Sequence, residues 1–306
     1  MGEQYRGDRM VAARSMRILS AVMPSPEQLH RKLALFNQQR LRPALPHARW
    51  REEISAELEP RLLEGDVVET ALAEVAAEAA SAPGDPAAFL RWFEDLRNTG
   101  PGQGDRLFPW LAERASLQEM RWFLAQEVAG EAGFDDLVAL TQLKLPVRPK
   151  LELARNYWDE MGRGHEHAMH GPMLGRLAQA LDVTAPIEST VWEALALANL
   201  LVALAMNRRY AFHSIGALGA IEMTAPGRVG LVDRGLERLG VTKDARVYFA
   251  LHATIDLQHS EAWNREVIAP LVEGNPAAAR AIAEGALLRL RAGARCFDRY
   301  RAQFGL

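Results

Sequence analysis

Apolar residues return at every third or fourth position along nearly the whole of this 306-residue chain, and no stretch alternates apolar with polar as a half-buried strand would. That period gives each segment one apolar face if the segment is an α-helix. Alanine, leucine, glutamate and arginine, all good helix formers, supply much of the sequence. Glycine and proline punctuate the pattern at Pro43 to Pro46, Ala82 to Pro86, Thr99 to Asp105, Pro146 to Pro149, Ala185 and Pro186, Ala225 to Gly227, and Gly274 to Pro276. The chain therefore reads as all-α. The most glycine-rich break, TGPGQGD, separates an expected N-terminal helical extension, residues 1–104, from a main domain, residues 105–306.

Composition narrows the function classes. With 49% hydrophobic and 25% charged residues the chain can bury a core, which a disordered chain cannot. Its 36 basic and 39 acidic side chains nearly cancel, so nothing electrostatic favours nucleic acid, whose phosphates select basic surfaces. One cysteine, Cys296, forms no internal disulfide and excludes a thiolate-held metal cluster. The most apolar run, Ala194 to Met206, is shorter than the roughly 20 residues that span a membrane and reads as a buried core helix. The N-terminus lacks the compact apolar stretch of a secretory signal and reads as a loosely attached arm. A soluble, cytoplasmic protein without membrane or nucleic-acid partners is expected.

The sharpest chemical signal is YFALHATIDLQHSEAW, in which His252, Asp256 and His259 stand at i, i+4 and i+7. On a helix, Asp256 lies about 40° to one side of His252 and His259 about 20° to the other, so the three share one stripe. Two imidazoles and a carboxylate supply the nitrogen and oxygen donors that iron, manganese or zinc accept. A second signal, NYWDEMGRGHEHAMH, packs three histidines and three acids close together. Glu160 with His170, Glu166 with His170, or His165 with His167 are the available pairings. Glu160 and His170 lie about 280° apart on an ideal helix and converge only if it bends or overwinds, which Gly162 and Gly164 would permit. Two more acids sit in apolar surroundings: Glu127, with Glu131 as a competing choice one turn on, and Glu222 among small and aliphatic residues. A buried carboxylate needs a partner, and a metal is a sufficient one.

Carboxylates and histidines on four helices are how carboxylate-bridged dinuclear sites are assembled in helical bundles. The stretches FLAQE, NYWDEMGRGHEHAMH, ALGAIEMTAP and YFALHATIDLQH together resemble the heme-oxygenase-like diiron oxidases, or iron-containing redox enzymes, from about Asp105 to the C-terminus. The second matches that family's D-E-x-G-x-G followed by a histidine, here His170, and the fourth its H-x-x-x-D-x-x-H. The resemblance implies a heme-oxygenase-like helical bundle. It also implies a ligand set of Glu127, Glu160, His170, Glu222, His252, Asp256 and His259, two Fe(II) ions, and O2 as co-substrate. Similar enzymes hydroxylate amine nitrogens, cleave or desaturate amino acids, or decarboxylate fatty acids. A small carboxylate-bearing metabolite, first an amino acid or its derivative and second a fatty acid, is the expected substrate. Arg163, Arg209 and His213 are candidates to hold it, since arginine binds carboxylates bidentately. An external electron donor is compatible with this chemistry, and extensions like residues 1–104 serve dimerisation, here a homodimer, or closure over the core. The rival readings are a metal-dependent hydrolase with zinc in the same ligands and a non-catalytic metal-binding helical protein.

Overall fold

The computed structural model describes residues 24–46, 48–130 and 133–306, and among them it holds no strand. The fold is all-α, as the apolar spacing predicts. Two long helices enter first, α1 (Pro26–Leu41) and α2 (Trp50–Ala79), followed by α3 (Pro86–Thr99), α4 (Leu107–Glu113), α5 (Leu117–Gly130) and α6 (Phe134–Thr141). Next come α7 (Val147–Glu160), α8 (His170–Ala180), α9 (Trp192–Met206) and α10 (Ala211–Arg238). α11 (Val247–Ala262) runs into a π-helical turn (Trp263–Ile268), and α12 (Ala269–Gly274) and α13 (Ala277–Phe304) complete the chain.

Local sequence sets where helices begin. Ser25 accepts from the Gln28 amide while the Gln28 side chain accepts from Ser25, a reciprocal cap with Pro26 in the first turn of α1. Asp85 caps α3 by accepting from the Ala88 amide, again with proline following. Ser116 and Glu119 form the corresponding box ahead of α5. Helix ends are closed from a distance. Arg238 donates to the carbonyls of Leu111, Ala112 and Ala115 beyond α4, and Arg208 to those of Leu140, Thr141 and Leu143 at the end of α6.

The core gathers around α10, which packs against α11, α13 and α4. Gly216 and Gly285 let α10 and α13 touch backbone to backbone. A methyl group at Gly216 would collide with the Ile282 carbonyl, and one at Gly285 with the His213 carbonyl. The apolar run expected to be a core helix is α9, buried on nearly every side. Each of its leucines removed from water contributes about 2 kcal/mol. α1 docks on α9 through a buried amide pair, Asn37 donating to Asn199 at 2.9 Å and Asn199 in turn to the His30 carbonyl at 2.9 Å. The His30 ring stacks on Trp192 with centroids 5.7 Å apart. Arg40 holds α1 to α2 by a bidentate pair with Glu64, both contacts 2.8 Å. Among the described residues no helix is long and apolar enough to cross a membrane.

Candidate metal centre

Four helices converge on one buried point. α11 runs unbroken through its histidines, so His252, Asp256 and His259 lie on one stripe as the spacing requires, all buried. α10 brings Glu222, 2% exposed, and the end of α7 brings Glu160, 4% exposed. His170 arrives differently from the bent helix that its spacing suggests. α7 stops at Glu160, two 3-10 turns intervene at Gly162–Gly164 and Glu166–Ala168, and His170 opens α8. Gly162, Arg163 and Gly164 all take the left-handed conformation, with φ of 61°, 53° and 84°. At Gly162 a Cβ would strike the backbone of Ala168 and Met169, so only glycine permits the strap to fold back this tightly.

The result is two buried donor triads sharing Glu160. Glu160, His170 and His252 form one; Glu160, Glu222 and His259 form the other; within each, the ligating atoms lie within 4.8 Å of one another. Glu160 Oε2 and His170 Nδ1 approach to 2.6 Å, and the His170 and His252 rings meet edge to face at 4.5 Å. Asp256 stands beside both triads. Burial first, then the neighbouring Glu222 and Glu160, push its carboxyl up to about 10.

Neighbours fix how these groups point. His252 Nδ1 donates to the Tyr248 carbonyl at 2.7 Å, which leaves Nε2 as its metal-facing atom. Burial and the adjacent His170 hold its imidazole down at about 4, so it is neutral and able to ligate. Asn156 donates to Glu222 Oε1 at 2.6 Å, and Glu222 Oε2 lies 3.5 Å from His259 Nδ1. His259 Nε2 in turn faces Asp159 at 3.3 Å. Burial opposes charge on His259, but the Glu222 and Asp159 contacts prevail and raise it to about 9. His259 Nδ1 is buried with no hydrogen-bond partner among the described residues. An unbonded buried nitrogen aimed at a carboxylate, among imidazole and carboxylate donors only, fits iron, manganese or zinc in place of the proton.

The remaining candidates lie elsewhere. Glu127 does not join either triad; it lines the far side of the same chamber and accepts from the Tyr300 hydroxyl at 3.1 Å. Burial pushes its carboxyl up against the pull of Arg289. Its competitor Glu131 and the N-terminal arm lie outside the described residues. Arg163 is exposed and pairs with Asp159 at 2.6 Å. Arg209 is exposed and pairs with Glu69 at 2.9 Å, and His213 faces Glu284 at 3.1 Å. None of these three lines the chamber. His165, Glu166 and His167 are exposed, which leaves Glu160 with His170 as the pairing that forms. Asn156 and Asp159 were not singled out by sequence; their signal was position, since Asn156 stands one turn before Glu160 and Asp159 directly before it.

Comparison with known families bears on this arrangement directly. Residues 121–294 match the model of the iron-containing redox enzymes. The chain belongs to this family. The matched region contains both triads, Asp256 and Glu127, so the buried donors of this iron-containing redox enzyme lie within the part that defines the family. No curated protein matches the chain.

Proposed function

We propose that this iron-containing redox enzyme is a non-heme diiron oxidase that uses O2 to oxidise a small amino acid or amino-acid derivative, by N-oxygenation or oxidative C–C cleavage. The observation that carries the reading is the pair of overlapping buried triads with Glu160 common to both, a donor arrangement that would hold two ions side by side. His170 and His252 would hold one ion, Glu222 and His259 the other, and Asp256 stands ready to join either. The carboxylates Glu160, Glu222 and Asp256 offset most of the charge of two ferrous ions, as a buried site requires. Held there, two ferrous ions would supply electrons for the activation of dioxygen.

The protein's own part is orientation and enclosure. Asn156 holds Glu222, Asp159 holds His259, and the Tyr248 carbonyl holds His252. Phe108, Phe123, Phe134 and Phe249 wall the chamber that opens from the cluster and keep water from it. The chamber encloses about 150 Å³. A cavity of that size accommodates a molecule of benzene's dimensions, which favours a small metabolite over a long fatty acid.

Anaerobic loading with Fe(II), followed by measurement of bound iron, tests the centre. About two irons per chain are expected, with at least one lost in His252→Ala and in His259→Ala. Full iron content in both variants would sink the ligand assignment, and preferential retention of zinc would move the chemistry to hydrolysis. Substrate-coupled oxygen consumption by the ferrous protein then separates an oxidase from a metal store.

A further inference from the structure

The chamber has a second polar end. Arg228 on α10 and Arg289 on α13 line it, together with Glu127 and Tyr300. Both arginines are partly buried, and both line the chamber wall. Arg228 donates to Thr224 at 3.0 Å and Gln103 at 3.5 Å, and its guanidinium sits over Phe297 and Phe108 at 5.6 and 5.9 Å. Arg289 Nε is buried with no hydrogen-bond partner, and among the described residues neither guanidinium is hydrogen-bonded to a carboxylate, Glu127 acting on both only through its charge. Gly293 makes this placement feasible, since a Cβ there would come within 2.5 Å of Arg289 Nη1.

Two partly buried guanidiniums facing one carboxylate leave at least one positive charge unbalanced on the chamber wall. Burial lowers Arg228 to about 9, still protonated at neutral pH. Such a charge calls for an anion. Arg228 lies six residues beyond Glu222 on α10, about 9 Å along the helix axis. Cations therefore occupy one end of the chamber and metal donors the other, with aromatic and aliphatic walls between them.

We infer that Arg228 and Arg289 form the docking pole for the carboxylate of a small organic acid, held so that the rest of its skeleton extends toward the Glu160 cluster. The orientation toward metal rests on the proposed function; the anion site does not. It also assigns substrate recognition to residues other than the exposed Arg163 and Arg209.

Calorimetric titration of the full chain, metal-free and iron-loaded, with butanoate and its neutral isostere butanamide tests the pole. Both probes have about the six non-hydrogen atoms that the chamber admits. Butanoate should bind the metal-free protein at least tenfold more tightly than butanamide, and Arg289→Gln should remove that preference while leaving butanamide unchanged. Arg228→Gln carries the same test should Arg289→Gln fail to fold, as judged by circular dichroism. Equal binding of the two probes, or butanoate affinity within twofold of the parent in both variants, overturns the inference. Iron loading without acid-selective binding would refute the anion pole alone, and acid-selective binding in a chain that takes up no iron would refute the diiron reading alone.

Discussion

Asn156 offers the cleanest test of whether the cluster is built to hold metal. Its amide donates to Glu222 Oε1 at 2.6 Å, buried on both sides, and this leaves Oε2 turned toward His259. Asn156→Leu keeps the side-chain volume and removes the donor. A hydrogen bond to a buried carboxylate is worth about 1.5–3 kcal/mol. Without it Glu222 is free to rotate, and affinity at the Glu160–Glu222–His259 triad should fall about ten- to hundredfold, the range found when groups that orient metal ligands are removed. Competition between the protein and a chromogenic chelator for Co(II), a redox-stable surrogate, measures this. Urea unfolding of the metal-free variant supplies the control, with an expected loss of about 1–3 kcal/mol. A loss of stability with Co(II) affinity unchanged within twofold would refute the reasoning, since it would reduce Asn156 to a partner for a buried acid.

Three further outcomes follow from geometry away from the cluster. Burial, and then the charge of Arg295, lower His30 to about 4, so between that value and 6.5 the unfolded chain binds more protons than the folded one. From His30 alone stability should therefore fall by up to about 3 kcal/mol as pH drops through that window; urea midpoints at pH 7 and 4.5 measure this, and because His252, also held down at about 4, acts in the same direction, His30→Leu should shrink the difference by that amount and leave the share of His252. Gly216→Ala drives a methyl into the Ile282 carbonyl and should destabilise by about 3 kcal/mol because backbone cannot step aside; a thermal melt within a degree of the parent would show that α10 and α13 do not meet as described. Glu64→Ala strands Arg40, whose side chain is 5% exposed, and should destabilise by about 3 kcal/mol, read as early proteolytic release of α1.

The helical class was legible because apolar spacing persists along the chain, and the α11 stripe was legible because no glycine or proline interrupts it between Val247 and Ala262. The approach of His170 was not fully legible. Spacing on an ideal helix treats Glu160 and His170 as members of one element, whereas three consecutive left-handed residues end that element and start another. Gly162 and Gly164 marked the place but not the geometry. Glu127 shows a different limit: an acid in an apolar helix announces a partner without naming it, and here Tyr300 and the field of Arg289 stand beside it, more than a hundred residues away in sequence. Arg228 and Arg289 carried no signal in the sequence for the same reason. Whether a helical arginine faces solvent or a chamber is decided by which helix crosses it, and the crossing of α10 with α13 depends on a pair of glycines far apart in sequence.

Cys296 gives this chamber a clock of its own. It is the sole cysteine of the chain, 1% exposed on the chamber wall, with burial and then Glu127 raising its thiol to about 12. A neutral, enclosed thiol reacts with alkylating reagents only when the surrounding helices part. The rate at which the intact protein gains one reagent mass therefore reports how often the chamber opens. Because Cys296 lies two turns from Arg289 on the same face of α13, occupancy of either end of the chamber would be timed on native protein, without an engineered label.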